Sequence, residues 1–227
     1  MIDELTLKQT ILEANRLGKA FVFPRGSLLA ARFPGILLEG ATVRGVNLAG
    51  ADLRFASLVN ARLSEVDLSS GRAQEVALAR ADLDAVDLSR GYFSRSVLKN
   101  ARFRDCRFGR SFFDGAYADE VEISDSDLEH SVWDKAELRK ARLCRVLAVR
   151  TSWEEVLVTR MTVTDSDFRE ADWSQADLRG ARFHRCDLRG ALFHGCLFED
   201  TEFLDCRLEG AFLTHLDLQR CRVTSAG

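Results

Sequence analysis

Histidine and cysteine come close together in one part of this chain. His184 and His194 each stand two residues before a cysteine, Cys186 and Cys196, and His215 follows. Imidazole nitrogen and thiolate sulfur are the usual ligands of zinc, so this is the first constellation to weigh. A second is the pairing of Asp125 with Asp127 and of Asp165 with Asp167, the residue types of general acid and base work. Nucleophile and phosphate-cradling signatures are absent: there is no Gly-x-Ser-x-Gly, no Gly-x-x-x-x-Gly-Lys and no Gly-x-Gly-x-x-Gly.

The elements that must position these groups are written in the same stretch, as a period of five. Leu178, Phe183, Leu188 and Phe193 recur every fifth residue, and a small residue precedes each by two, at Ala176, Ala181, Cys186 and Ala191. Five residues carry an α-helix about 140° past a full turn, and an odd spacing turns alternate repeats to opposite sides of a flat strand. A coiled solenoid is what remains. The register holds from Phe33 to Val223 without an insertion, and only Ala73, Ala118 and Ala148 interrupt the large residues. On this repeat His184 and His194 project from opposite sides, while Cys186 and Cys196 point inward from opposite walls. The carboxylate pairs follow from repeat position. We therefore expect no catalytic, metal-binding or cofactor-binding residue and no enzyme.

Composition sets further bounds. In 227 residues, 32 basic and 35 acidic side chains give a net charge of -3, too little positive charge for direct nucleic-acid binding and only weakly acidic. No secretion signal opens the chain and no apolar run approaches membrane-spanning length, so a soluble, cytoplasmic protein without membrane contact is expected. Of the six cysteines, Cys106, Cys186, Cys196 and Cys206 occupy the small-residue slot as compact hydrophobes; Cys144 and Cys221 complete the set, and no disulfide framework is expected. Both prolines, Pro24 and Pro34, precede the repeat, leaving every later backbone N–H free for ladder hydrogen bonds.

The triplets Ala51-Asp52-Leu53, Ala81-Asp82-Leu83 and Ala176-Asp177-Leu178 show the repeat in its commonest spelling. It resembles the pentapeptide-repeat family over about 31 to 223. The resemblance implies an all-β fold, a right-handed quadrilateral parallel β-helix in which each pentapeptide makes one side and twenty residues make one coil, nine to ten coils in all. It also implies a function. The best understood bacterial members mimic B-DNA, bind DNA gyrase or topoisomerase IV and protect it from fluoroquinolones or other topoisomerase poisons. Other members act in bacterial secretion, so an adaptor or effector is the alternative. The twenty-residue coil has a check of its own: Trp133, Trp153 and Trp173 lie twenty apart, and Phe93, Phe113 and Phe193 continue their column.

Function then has to sit on the outside of the rod. Asp67, Asp87, Asp127, Asp167 and Asp187 fall one coil apart as an acidic stripe, a candidate partner-binding surface interrupted by Arg107, Leu147 and Arg207. The neighbouring column reads Arg62, Asp82, Arg102, Glu122, Arg142, Thr162, Arg182, Glu202 and Arg222, and predicts ion pairs between coils. Apolar residues break the polar rule at Tyr92, Phe112 and Val132, with Val97 and Tyr117 on the adjoining side, and again at Leu192, Leu197 and Phe212. These are candidate interfaces.

Three segments are expected: residues 1–30 with a capping helix and transition, 31–223 as uninterrupted β-helix, and a tail 224–227. The helix is expected over about 3 to 19, with Leu5, Ile11 and Leu12 on its apolar side, Asp3 or Thr6 as its cap and Gly18 as its stop. The open end of the last coil and the apolar patch make a homodimer the expected assembly.

Overall fold

The computed structural model describes residues 4–213 and 221–224; Asp3, His215 and residues 225–227 lie outside them. Successive turns of the chain stack as parallel coils of twenty residues. One side of every coil is a short strand, and ten of these form a single parallel sheet from Thr42–Arg44 to Cys221–Thr224. The register is that of the sequence repeat: Arg62 faces Asp82, Leu63 faces Leu83, and Phe183 faces Phe203. The other three sides pair through single parallel bridges with the same offset, such as Tyr92 with Phe112 and Val97 with Tyr117. Calling the strand side the first face, with residues 41–45 as an example, residues 46–50, 51–55 and 56–60 give the second, third and fourth. Pairing reaches back to Val22, which bridges Thr42, and to Gly26–Ser27, which pairs with Val46–Asn47.

The interior is mostly apolar, with a few buried Ser and Thr hydroxyls, because two of every five side chains enter it and most of them are hydrocarbon or aromatic. The aromatic column expected from the tryptophan spacing is present. Phe113 and Trp133 stack at 4.3 Å, Trp133 and Trp153 at 5.5 Å, and Trp153 and Trp173 at 5.0 Å, with ring planes within 10° of parallel. Phe93 and Phe193 extend the stack at its two ends.

Corners decide how the chain turns. Every fifth residue from Ala30 to Gly210 has a φ between 51° and 72°, and 28 of these left-handed residues are not glycine. Glycine was the sequence signal for corners, yet most corners are built from residues that adopt this region at a cost of about 1 kcal/mol or more each. Most corners after the second, third and fourth faces close with a turn hydrogen bond such as Ala51 N to Leu48 O. The corner after the first face lacks that bond. There Cys106 N–H donates to the Ser126 hydroxyl one coil on at 3.0 Å, and Val146 N–H to Ser166 at 3.1 Å. Cys106 and Cys186 fill this inner column as buried free thiols.

The N-terminal helix α1 spans Glu4–Arg16. Its buried side is Leu7 and Ile11, four residues apart and packed on the first coil, whereas Leu5 and Leu12 are 66% and 68% exposed. Of the expected apolar side, Ile11 is buried while Leu7 takes the place of Leu5 and Leu12, and Thr6 lies within the helix rather than capping it. Gly18 does follow the helix with φ 64°, and Lys19 N–H closes onto Ala14 O at 2.9 Å, a C-terminal cap of the Schellman type. Asn15 Nδ2 donates to Leu37 O, and Glu4 accepts the Arg32 N–H, so the helix is tied across the open end of the core.

Candidate protein-contact surface

The acidic stripe runs along the second face as expected, and all five aspartates are half-buried. Their side chains are committed to the backbone. Asp67, Asp87 and Asp127 each accept the N–H of the residue two places on at 2.9 Å, from Ser69, Ser89 and Glu129. Asp167 and Asp187 add a guanidinium: Arg169 and Arg189 reach back over the intervening large residue to bond both carboxylate oxygens. Arg107 pairs with Asp87 at 3.0 Å and Arg207 with Asp187 at 3.6 Å, one coil away. Burial works against the Asp187 charge, but Arg189 holds its carboxyl below the usual range. The sequence signal for these clamps was the triplet Asp-Leu/Phe-Arg, repeated at Asp52, Asp167, Asp177 and Asp187, which single-column charge counting missed.

The neighbouring column does pair between coils. Arg102 and Arg142 both reach Glu122, at 3.2 and 3.1 Å, and Arg182 reaches Glu202 at 2.8 Å.

The apolar residues gather as the repeat dictates. Tyr92 and Phe112 stack face to face at 5.3 Å with planes 7° apart, and remain 46% and 38% exposed. Val132 continues this column on the third face, and Val97 and Tyr117 stand beside it on the fourth. A second patch joins Leu192, which pairs with Phe212, to exposed Leu197 on the adjoining face. Phe212 also meets the His194 ring at 5.7 Å.

The candidate chemistry of the sequence is spoken for. Arg145 clamps Asp125 and Arg185 clamps Asp165, each through two nitrogens. His184 lies against Arg185 and 3.5 Å from Asp205. Among the described residues no three His, Cys, Asp or Glu side chains are grouped to hold a metal ion, and no helix is long and apolar enough to cross a membrane.

Comparison with known families agrees with this architecture. A model described as pentapeptide repeats matches eight copies over residues 31–69, 77–115, 163–195 and 186–225, more than half of the chain. The chain belongs to the pentapeptide-repeat family. No curated protein matches it in sequence. Among solved structures, it is similar to HetL, a pentapeptide repeat protein involved in heterocyst differentiation regulation from Nostoc sp. strain PCC 7120, at 20% identity and TM-score 0.37 over 89% of this chain and 95% of that one. It is also similar to full-length QnrB1, a plasmid-mediated fluoroquinolone resistance protein, at 18% identity and TM-score 0.40 over 88% and 94%. Rfr23 from the cyanobacterium Cyanothece 51142 aligns at 15% identity and TM-score 0.22 over 95% and 99%.

Proposed function

We propose that this chain works by binding another protein and not by catalysis, with the exposed stack of Tyr92 on Phe112 at the centre of its contact surface. That stack is the observation on which the proposal rests. Aromatic side chains left exposed in register, beside Val97, Tyr117 and Val132, are the composition of an interface core. The acid column Asp67, Asp87, Asp127, Asp167 and Asp187 lies on the adjacent second face and supplies the orienting charge. DNA gyrase or topoisomerase IV is the partner put first, through the family to which the chain belongs, with the rod standing in for DNA and shielding the enzyme from its poisons. The test is gyrase supercoiling in the presence of a fluoroquinolone. Restored supercoiling on adding the purified protein supports this partner, and continued inhibition at several-fold excess removes it.

A second function is favoured by the arginine clamps. With Arg107 on Asp87, Arg169 on Asp167, and Arg189 and Arg207 on Asp187, three of the five aspartates are compensated, which leaves less negative charge for mimicry of DNA. A scaffold or adaptor, for example in bacterial secretion, needs only the apolar patches. Affinity capture from the native host, repeated with Tyr92→Asp, distinguishes it: a partner other than a topoisomerase, lost in the variant, is its expected result.

A further inference from the structure

Four cationic side chains line one groove on the fourth face. Over three consecutive coils Arg139, Lys140, Arg160 and Arg179 line a shallow groove of about 450 Å³ with Thr159 and Gly180, closed at one end by Glu199 and Asp200.

Two of the four are fixed in place. Asp177 holds the Arg179 guanidinium through two bonds at 2.8 and 2.6 Å, and Arg139 is gripped by Glu137 and by Asp119. The other two are unpaired: no side-chain hydrogen bond or ion pair reaches Lys140 or Arg160 from any described residue. They occupy the same corner column one coil apart, about 4.8 Å along the axis, where like charges repel. The next residue of that column is Gly180, and a Cβ there would sit 3.3 Å from Arg160 Cγ. Its absence lets the arginine stem run along the rod into the groove.

Pre-set guanidinium forks beside a mobile ammonium and a hydroxyl are the groups that recognise a tetrahedral oxyanion. We propose that this groove binds a phosphate-class anion. Lys140 and Arg160 supply the charge that the anion neutralises, Arg139 and Arg179 frame it, and the Thr159 hydroxyl is available to a phosphoryl oxygen. Inorganic pyrophosphate and the phosphates of a nucleotide share this chemistry. The groove shares the fourth face with Tyr117 but no lining residue with the Tyr92 patch, and its test reads anion binding alone, so it stands or falls apart from the protein-binding proposal.

Calorimetric titration of the full chain at low salt with pyrophosphate, and separately with ATP, tests it. The expected result is sub-millimolar binding of at least one, weakened about tenfold or more in Lys140→Ala/Arg160→Ala, with the folded state retained because neither side chain has a partner to lose. Tighter pyrophosphate binding identifies the free anion as the source, and tighter ATP binding a nucleotide. Arg90→Ala/Arg110→Ala removes the same charge from the second face and should leave affinity unchanged. No binding of either anion up to roughly 10 mM, or equal loss in that control, would overturn the proposal.

Discussion

The indole N–H of Trp153 donates to the hydroxyl of Thr151, two residues earlier on the same face, at 2.7 Å. The indole N–H of Trp133 likewise donates to the Ser131 hydroxyl at 3.0 Å. Trp173, next in the column, has alanine two places before it, and its buried Nε1 has no partner. Both hydroxyls also donate to a turn carbonyl, Leu128 O or Ala148 O, so the donor and the acceptor capacity are each used. Ala171→Ser should restore the missing bond and raise unfolding free energy by about 1 kcal/mol, while Ser131→Ala should lower it by about 1–3 kcal/mol. Urea unfolding followed by tryptophan fluorescence measures both.

Corners give a second prediction. Phe55 holds φ 61° with its ring 58% exposed, and nothing in the core requires an aromatic there. Phe55→Gly should remove about 1 kcal/mol of backbone strain, partly offset by unfolded-state entropy, and raise Tm. Gly91 is the opposite case, an interior glycine whose added Cβ would meet Phe93 Cε2 at 2.5 Å. Gly91→Ala should lower stability by about 1–3 kcal/mol. Thermal unfolding that moves the other way for either variant would contradict the geometry.

Stability should fall at both ends of the pH scale for separate reasons. The Arg54 guanidinium holds Asp52 down to about 2 from 3.8, and Arg179 lowers Asp177 in the same way. A carboxylate lowered in the folded state contributes stability that is complete above its unfolded value and is lost as pH falls through its folded one, here from about 4 to about 2. Arg54→Ala should shift the acid midpoint upward. At the alkaline end, burial pushes the Cys106 thiol from 9.0 to about 11. Its contribution is intact below 9 and lost as pH rises from about 9 to about 11, because only the unfolded chain ionises freely there. Cys106→Val should flatten that limb, read by urea midpoints across the series.

Assembly can be read by light scattering. A homodimer through the C-terminal end or the apolar patch is expected; Phe112→Asp should leave a folded monomer if the patch is the self-contact and a dimer if the C-terminal end is. A wild-type chain that stays monomeric at all concentrations removes this patch as a self-contact.

Nearly all of the fold was legible because one physical rule, a small and a large residue entering a narrow core every five positions, writes itself directly into the sequence. Trp133, Trp153 and Trp173 even disclosed the coil length. What escaped lies where that rule is silent. The burial of Leu7 in place of Leu5 and Leu12 depends on how a helix seats on the first coil, not on its own periodicity. Left-handed corners at Phe55 and at charged residues such as Glu65 and Arg80 carry no compositional mark, since coil stacking imposes the conformation on whatever residue is there. The charge of the surface was the least legible: Asp187 reads as an open acid along its column, and becomes a clamped one only when Arg189 folds back across Leu188.

Co-migration with gyrase, followed by size-exclusion chromatography of equimolar mixtures, is the most direct measurement of partner binding through the Tyr92 surface. The wild-type chain should elute with the enzyme, and Tyr92→Asp/Phe112→Asp, folded by circular dichroism, should elute alone. Separate elution of the wild type, or co-elution that survives both substitutions, would contradict a gyrase contact centred on that stack.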